Sequence, residues 1–155
     1  MLKVGDKAPG FSLVSDSKQD VSLDAYQGKN VLLLFFPMAF TSVCTQELCA
    51  TRDNIAAYSA VNAEVLAVSV DSPFTLAKFK EDQHLNFTLL SDFNKEVSAA
   101  YGCQYDTFAF GLKGVAKRSA FVIDASGVIR YAEVLESAGE LPNFEAIQQT
   151  LQTLA

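Results

Sequence analysis

Two of the three cysteines in this 155-residue chain, Cys44 and Cys49, lie within FFPMAFTSVCTQELCA, the segment spanning residues 35–50. A thiol reacts as its thiolate, so the chemistry at stake is nucleophilic attack, thiol–disulfide exchange or metal binding. The residues ahead of Cys44 bear on its state. Pro37 ends an apolar run, because it cannot donate to a β-ladder and it restricts the residue before it. Thr41 or Ser42 is then a natural N-cap for a helix. With Thr41 as the cap, Cys44 falls in the first helical turn, where unpaired backbone N–H groups and the positive end of the helix dipole surround its sulfur. That setting lowers a cysteine pKa, and Cys49, more than a turn further on, gains much less.

In a continuous helix, residues five apart are separated by about 7.5 Å of rise and about 140° of rotation, so their Cα atoms stand roughly 8 to 9 Å apart. A disulfide needs a separation of about 7 Å or less. Any bond between Cys44 and Cys49 therefore requires the first helical turn to unravel. Other reactive constellations are thin. A cysteine protease would need a histidine beside its nucleophile, and the single histidine, His84 in Asp82-Gln83-His84-Leu85, fits an exposed loop or helix end. Scattered Cys and His residues without a CxxC make a poor zinc site, so no metal is expected. Cys103, which follows a helix end at Tyr101-Gly102, reads as space-filling. Phe35, Phe36, Phe40, Phe108 and Phe110 are core by default, although those beside Pro37 and in Asp106-Thr107-Phe108-Ala109-Phe110 could line a pocket or a dimer contact.

The elements that must position these side chains follow from the hydrophobic pattern. Residues 31–36, VLLLFF, are apolar on both faces, as a central strand covered by helices would be. Residues 42–60 form one predicted helix with Leu48, Ile55 and Tyr58 near one face. A second buried strand spans 64–70, and Ser72 with Pro73 caps and starts a helix running to about Asp82. A short strand at 88–90 and a helix at 95–101, stopped by Gly102, come next. Strands at 119–124 and 128–134 flank the hairpin signal Ala125-Ser126-Gly127, and Asn143 can cap a last helix through Leu154. Residues 1–29 are rich in turn formers. This order predicts one α/β domain over residues 1–155, with a mixed central sheet and helices on both faces, the order of a thioredoxin-like fold.

Composition narrows the partners. Half the residues are hydrophobic, which excludes a disordered chain, and a net charge of −6 argues against nucleic acid. No apolar run approaches the roughly 18 residues needed to span a bilayer, and the start, MLKVGDKAPGF, lacks a signal-peptide core. Three cysteines are an odd count and too few for a disulfide scaffold, so a reducing cytoplasm is the expected location.

Pro37-x-x-x-Thr41-x-x-Cys44 resembles the active-site pattern of the peroxiredoxins, the thiol peroxidases. The similarity extends through Val4-Gly5-Asp6-Lys7-Ala8-Pro9, Val68-Ser69-Val70-Asp71-Ser72 and Lys117-Arg118-Ser119-Ala120-Phe121-Val122-Ile123-Asp124, the last resembling that family's arginine-bearing strand. Strand position alone does not choose among Arg52, Arg118 and Arg130; the resemblance selects Arg118. It implies that Cys44 attacks the terminal peroxide oxygen and becomes a sulfenic acid. Thr41 would hold thiolate and peroxide, Pro37 would shield the pocket, and Arg118 would stabilise the thiolate and the departing oxygen. Glu47 would orient an arginine.

The Cys44/Cys49 spacing resembles the bacterioferritin-comigratory or Q type, whose resolving cysteine lies in the same helix. PMAFTSVC and GVAKRSAFVID are closer to the alkyl hydroperoxide reductase E type, where a second cysteine is often absent. The implied activity is reduction of hydrogen peroxide and organic hydroperoxides without metal, flavin or haem. Cys49 would resolve the sulfenic acid as a disulfide, thioredoxin or a similar dithiol protein would reduce it, and the chain would form a homodimer. If Cys49 is only packed, the cycle uses one cysteine and an external thiol. The competing readings are a disulfide oxidoreductase, which CxxxxC rather than CxxC disfavours, and a redox-sensing or chaperone-like binding module.

Overall fold

A computed structural model describes residues 2–154. Among these, seven strands form one sheet: β1 (Ser12–Ser15), β2 (Asp20–Ser22), β3 (Asn30–Phe35), β4 (Ala63–Ser69), β5 (Thr88–Ser91), β6 (Ser119–Ile123) and β7 (Ile129–Val134). The five α-helices are α1 (Ser42–Asp53), α2 (Ile55–Ala60), α3 (Pro73–Gln83), α4 (Glu96–Ala100) and α5 (Phe144–Leu154). Strand order is β2-β1-β5-β4-β3-β6-β7. β3, β4 and β5 pair in parallel, while β6 and β7 add antiparallel strands on one side and the β1–β2 hairpin adds them on the other.

The central strands alternate between two cores, as a period of two dictates. Leu32, Leu34, Val65, Ala67, Ala120 and Val122 face a core closed by α1, α2, α3 and α5. Val31, Leu33, Phe35, Leu66, Val68, Phe121 and Ile123 face the other, which α4 and the N-terminal segment cover. The mixed sheet with helices on both faces is thus as the pattern predicts. The predicted caps also form. Ser72 Oγ accepts from Thr75 N–H at 3.2 Å, and Asn143 Oδ1 accepts from Ala146 N–H at 3.1 Å.

Two expectations are corrected. The helix expected over 42–60 is broken at Asn54, whose Nδ2 donates to the Ala50 carbonyl at 2.9 Å and whose N–H donates to the Thr51 carbonyl at 3.1 Å. The side chain satisfies an orphan carbonyl of α1, as helix ends require, and α2 departs in a new direction that buries Tyr58. The turn-rich N-terminal region also contains strands. β1 and β2 are three or four residues long with little alternation, and they form because β1 pairs with the edge of β5 at Val14–Ser91 and Ser15–Leu90.

Candidate active site

Cys44 is the third residue of α1, and its side chain is fully buried. Thr41 holds the N-cap position, with extended backbone and its carbonyl accepting from Thr45 N–H at 2.9 Å. Its hydroxyl does not cap, however, because Thr41 Oγ1 donates to the Met38 carbonyl at 2.8 Å. The early N–H groups of α1 therefore receive no side-chain cap.

Arg118 precedes β6 and, by strand alternation, shares the face of Ala120 and Val122, the core that contains Cys44. Its guanidinium presents both Nη1 and Nη2 to Cys44 Sγ at 3.4 Å each. Nη1 also donates to Glu47 Oε1 at 2.7 Å, and Nη2 to the Ala138 carbonyl at 2.9 Å. Burial pulls the Arg118 pKa down, but Glu47 and Cys44 more than offset it, leaving it above its ordinary value. Glu47, one turn after Cys44, is fully buried, and burial pushes its carboxyl up to about 7 against the opposing pull of Arg118. Glu47 Oε2 is buried with no hydrogen-bond partner among the described residues, which favours the protonated carboxyl.

A cavity of about 260 Å³ opens beside the sulfur, lined by Pro37, Thr41, Val43, Phe108, Arg118 and Gly139 among others. A cavity of about 300 Å³, lined in part by Lys7, Tyr26 and Asp124, lies at the opposite end of the β3–β6 pair and contains no cysteine. The structure thus brings Pro37, Thr41, Cys44 and Arg118 together around one opening, with Glu47 buried behind them on Arg118.

It does not bring Cys49 to Cys44. α1 is continuous through both, and the half-buried Cys49 Sγ lies 3.5 Å from Gln83 Oε1. Arg52 pairs with Asp53 at 2.9 Å and Arg130 with Asp124 at 2.6 Å, both away from Cys44. Exposed His84 is the left-handed C-cap of α3. Among the described residues no cluster of His, Cys, Asp and Glu could hold a metal ion. The contribution of Ala138 and Gly139 carries no sequence signal, since a backbone carbonyl and a small residue can come from any type. Phe108 does line the opening, whereas Phe110 is 98% exposed.

Residues 4–132 match the AhpC/TSA family. The chain belongs to this family, the peroxiredoxins. Alkyl hydroperoxide reductase E of Mycobacterium tuberculosis is 42% identical over 144 residues, covering 91% of this chain and 90% of that protein. Peroxiredoxin Bcp of Escherichia coli is 39% identical over 132 residues, 84% of each. The crystal structure of peroxidoxin BcpB from M. tuberculosis superposes with a TM-score of 0.88 at 28% identity, covering 100% of this chain and 99% of that one. The thioredoxin-like peroxiredoxin architecture inferred from element order is therefore the fold, and the chain is a thiol-dependent peroxidase. As a peroxiredoxin it combines an E-type wording around Cys44 with a second cysteine in the same helix.

Proposed function

We propose that Cys44 is the nucleophile that reduces hydrogen peroxide and organic hydroperoxides. The observation that carries this reading is the double contact of the Arg118 guanidinium with Cys44 Sγ, 3.4 Å from each terminal nitrogen, at a cavity whose walls include Pro37 and Thr41. The thiolate attacks the terminal peroxide oxygen; a sulfur–oxygen bond forms, the oxygen–oxygen bond breaks, and the leaving alkoxide or hydroxide takes a proton from solvent. Arg118 offers N–H donors where that charge develops. Thr41 has a hydroxyl at the opening, Pro37 and Phe108 exclude water, and Glu47 holds the Nη1 edge of Arg118. The apolar walls accommodate the carbon substituent of an organic hydroperoxide.

Resolution uses Cys49. Its thiol attacks the Cys44 sulfenic sulfur, water leaves, and a dithiol protein of thioredoxin type returns two electrons. Because α1 holds the two sulfurs on different sides, its first turn must open for the bond to form. Exposed Phe40 and Phe110, on the segments that bear Thr41 and Phe108, support a homodimer packed beside the opening. The odd cysteine count supports a reducing compartment such as the cytoplasm.

Mass spectrometry after one equivalent of hydrogen peroxide tests the cycle. Wild type should yield a Cys44–Cys49 disulfide, Cys49→Ser a Cys44 sulfenic or sulfinic acid, and Cys44→Ser neither. A wild-type sulfenic acid without the disulfide would identify a one-cysteine cycle, and a disulfide through Cys103 would overturn the assignment of Cys49. Oxidation should also lower hydrogen-exchange protection over residues 41–50.

A further inference from the structure

The segment Val68-Ser69-Val70-Asp71-Ser72 closes β4, and the site described above leaves it without a task. Asp71 Oδ2 accepts from the backbone N–H of Ala39 at 2.7 Å and from Ser69 Oγ at 2.6 Å. Asp71 N–H donates to Ser69 Oγ at 3.3 Å, and Ser91 Oγ donates to the Asp71 carbonyl at 2.6 Å. The residue is thereby fastened to the ends of β4 and β5 while its carboxylate reaches into the loop 37–41.

That loop supplies Pro37 and Thr41 to the cavity beside Cys44. It also contains Phe40 at φ 67°, a left-handed conformation that a bulky side chain adopts only under constraint. The hydrogen bond from Phe36 N–H to the Val68 carbonyl, 3.0 Å, sets where the chain leaves β3, and Thr41 Oγ1 to the Met38 carbonyl is internal to the loop. The Asp71–Ala39 contact ties its middle to the sheet.

We infer that Asp71 is a positioning residue: by holding Ala39 it keeps Pro37 and Thr41 in register with Cys44 and Arg118, so that a peroxide meets the sulfur in line. This rests on the reading of Cys44 as the peroxide-reducing nucleophile. The donors to Cys44 Sγ come from Arg118, not from Asp71. Losing Asp71 should therefore slow attack on a bound, oriented peroxide far more than alkylation by a reagent that needs no binding geometry.

The experiment uses the Cys49→Ser chain in single turnover. Cys44 modification by hydrogen peroxide and, separately, by iodoacetamide is followed by mass spectrometry. Added Asp71→Ala should lower the peroxide rate constant by about 10²-fold and the iodoacetamide rate constant by less than about threefold. Asp71→Asn, whose amide oxygen can take the place of Oδ2 and accept from both the Ala39 N–H and the Ser69 hydroxyl, should recover the peroxide rate to within about fivefold. Should Asp71→Ala not fold, Ser69→Ala removes the hydroxyl that orients the carboxylate and should show the same selective loss at about threefold to tenfold. Equal losses with both reagents, or no loss with peroxide, would overturn the inference. Failure of the Cys49→Ser parent to form a Cys44 sulfenic acid would instead overturn the peroxidase reading of Cys44.

Discussion

Cys44 and Cys103 are both fully buried, yet the chain surrounds them in opposite ways. Cys44 lies on the α1 face of the sheet with two guanidinium N–H groups at 3.4 Å and an opening beside it. Cys103 lies on the other face, where its thiol donates to the Ser98 carbonyl at 3.6 Å and the Tyr101 ring belongs to the same core. Burial there pushes the Cys103 thiol up to about 12. The lesson is that burial alone makes a cysteine an inert hydrophobe, whereas burial among oriented donors makes a site. Cys49 is the intermediate case: half-buried, against an amide oxygen, and able to move only if its helix does.

Several changes would break or sharpen that contrast. Arg118→Met gives Cys44 apolar surroundings like those of Cys103 and should cost about 10²–10³-fold in the rate of Cys44 oxidation. Stopped-flow or mass spectrometric single turnover measures it, and an unaltered rate would mean that Arg118 does not serve the reaction. Arg118→Lys keeps one charge near Glu47 but cannot present two N–H groups to the sulfur, so it should recover only part of the loss.

Glu47 offers a pH test. A carboxyl whose folded-state pKa stands above its unfolded value stabilises the fold while protonated. Its contribution is whole below about pH 4.5 and is lost as pH rises through about 7. The folded chain should therefore lose on the order of 3 kcal/mol from this group between pH 5 and 8. Glu47→Gln should remove that slope, as read by urea midpoints across the range.

On the other side of the sheet, Cys103→Ala should leave single-turnover oxidation within about twofold and lower stability by about 1–2 kcal/mol. The same sign argument applies at alkaline pH, since the raised Cys103 pKa makes the fold lose stability between about 9 and 12, a loss that Cys103→Ala should reduce but not remove, because the buried tyrosines Tyr58 and Tyr101 are also raised. The smallest effect is expected at Gln83. Gln83→Leu releases Cys49 from its 3.5 Å contact and should speed Cys44–Cys49 disulfide formation by about twofold to fivefold. Rapid quench with alkylation would show it, and a slower rate would mean that Gln83 helps rather than retains the thiol.

Much of this was legible from residue order. The apolar run at 31–36, the Ser72-Pro73 start of α3, the hairpin signal at 125–127 and the Asn143 cap all form where pattern and turn chemistry put them. The break at Asn54 and the β1–β2 hairpin were not legible. A helical pattern can run across a change of direction, and strands of three or four residues depend on an edge supplied much later in the chain. At the site, Thr41 rather than Ser42 takes the cap position, and its hydroxyl donates to the Met38 carbonyl instead of capping α1.

Residue types and spacing by themselves determined that Cys44 falls in the first turn of its helix, because caps and proline act within a few residues. They also determined that Cys44 and Cys49 cannot meet without local opening, since helix geometry is the same in any surroundings. Spacing left Arg52, Arg118 and Arg130 open and the family resemblance pointed to Arg118, but only the tertiary structure shows that guanidinium at the sulfur, from 74 positions away. It alone placed Glu47 Oε1 on that arginine, the Ala138 carbonyl on its other edge, and the Asp71 carboxylate on Ala39. Such contacts depend on strand register and on which face each side chain takes, and packing of the whole sheet sets both.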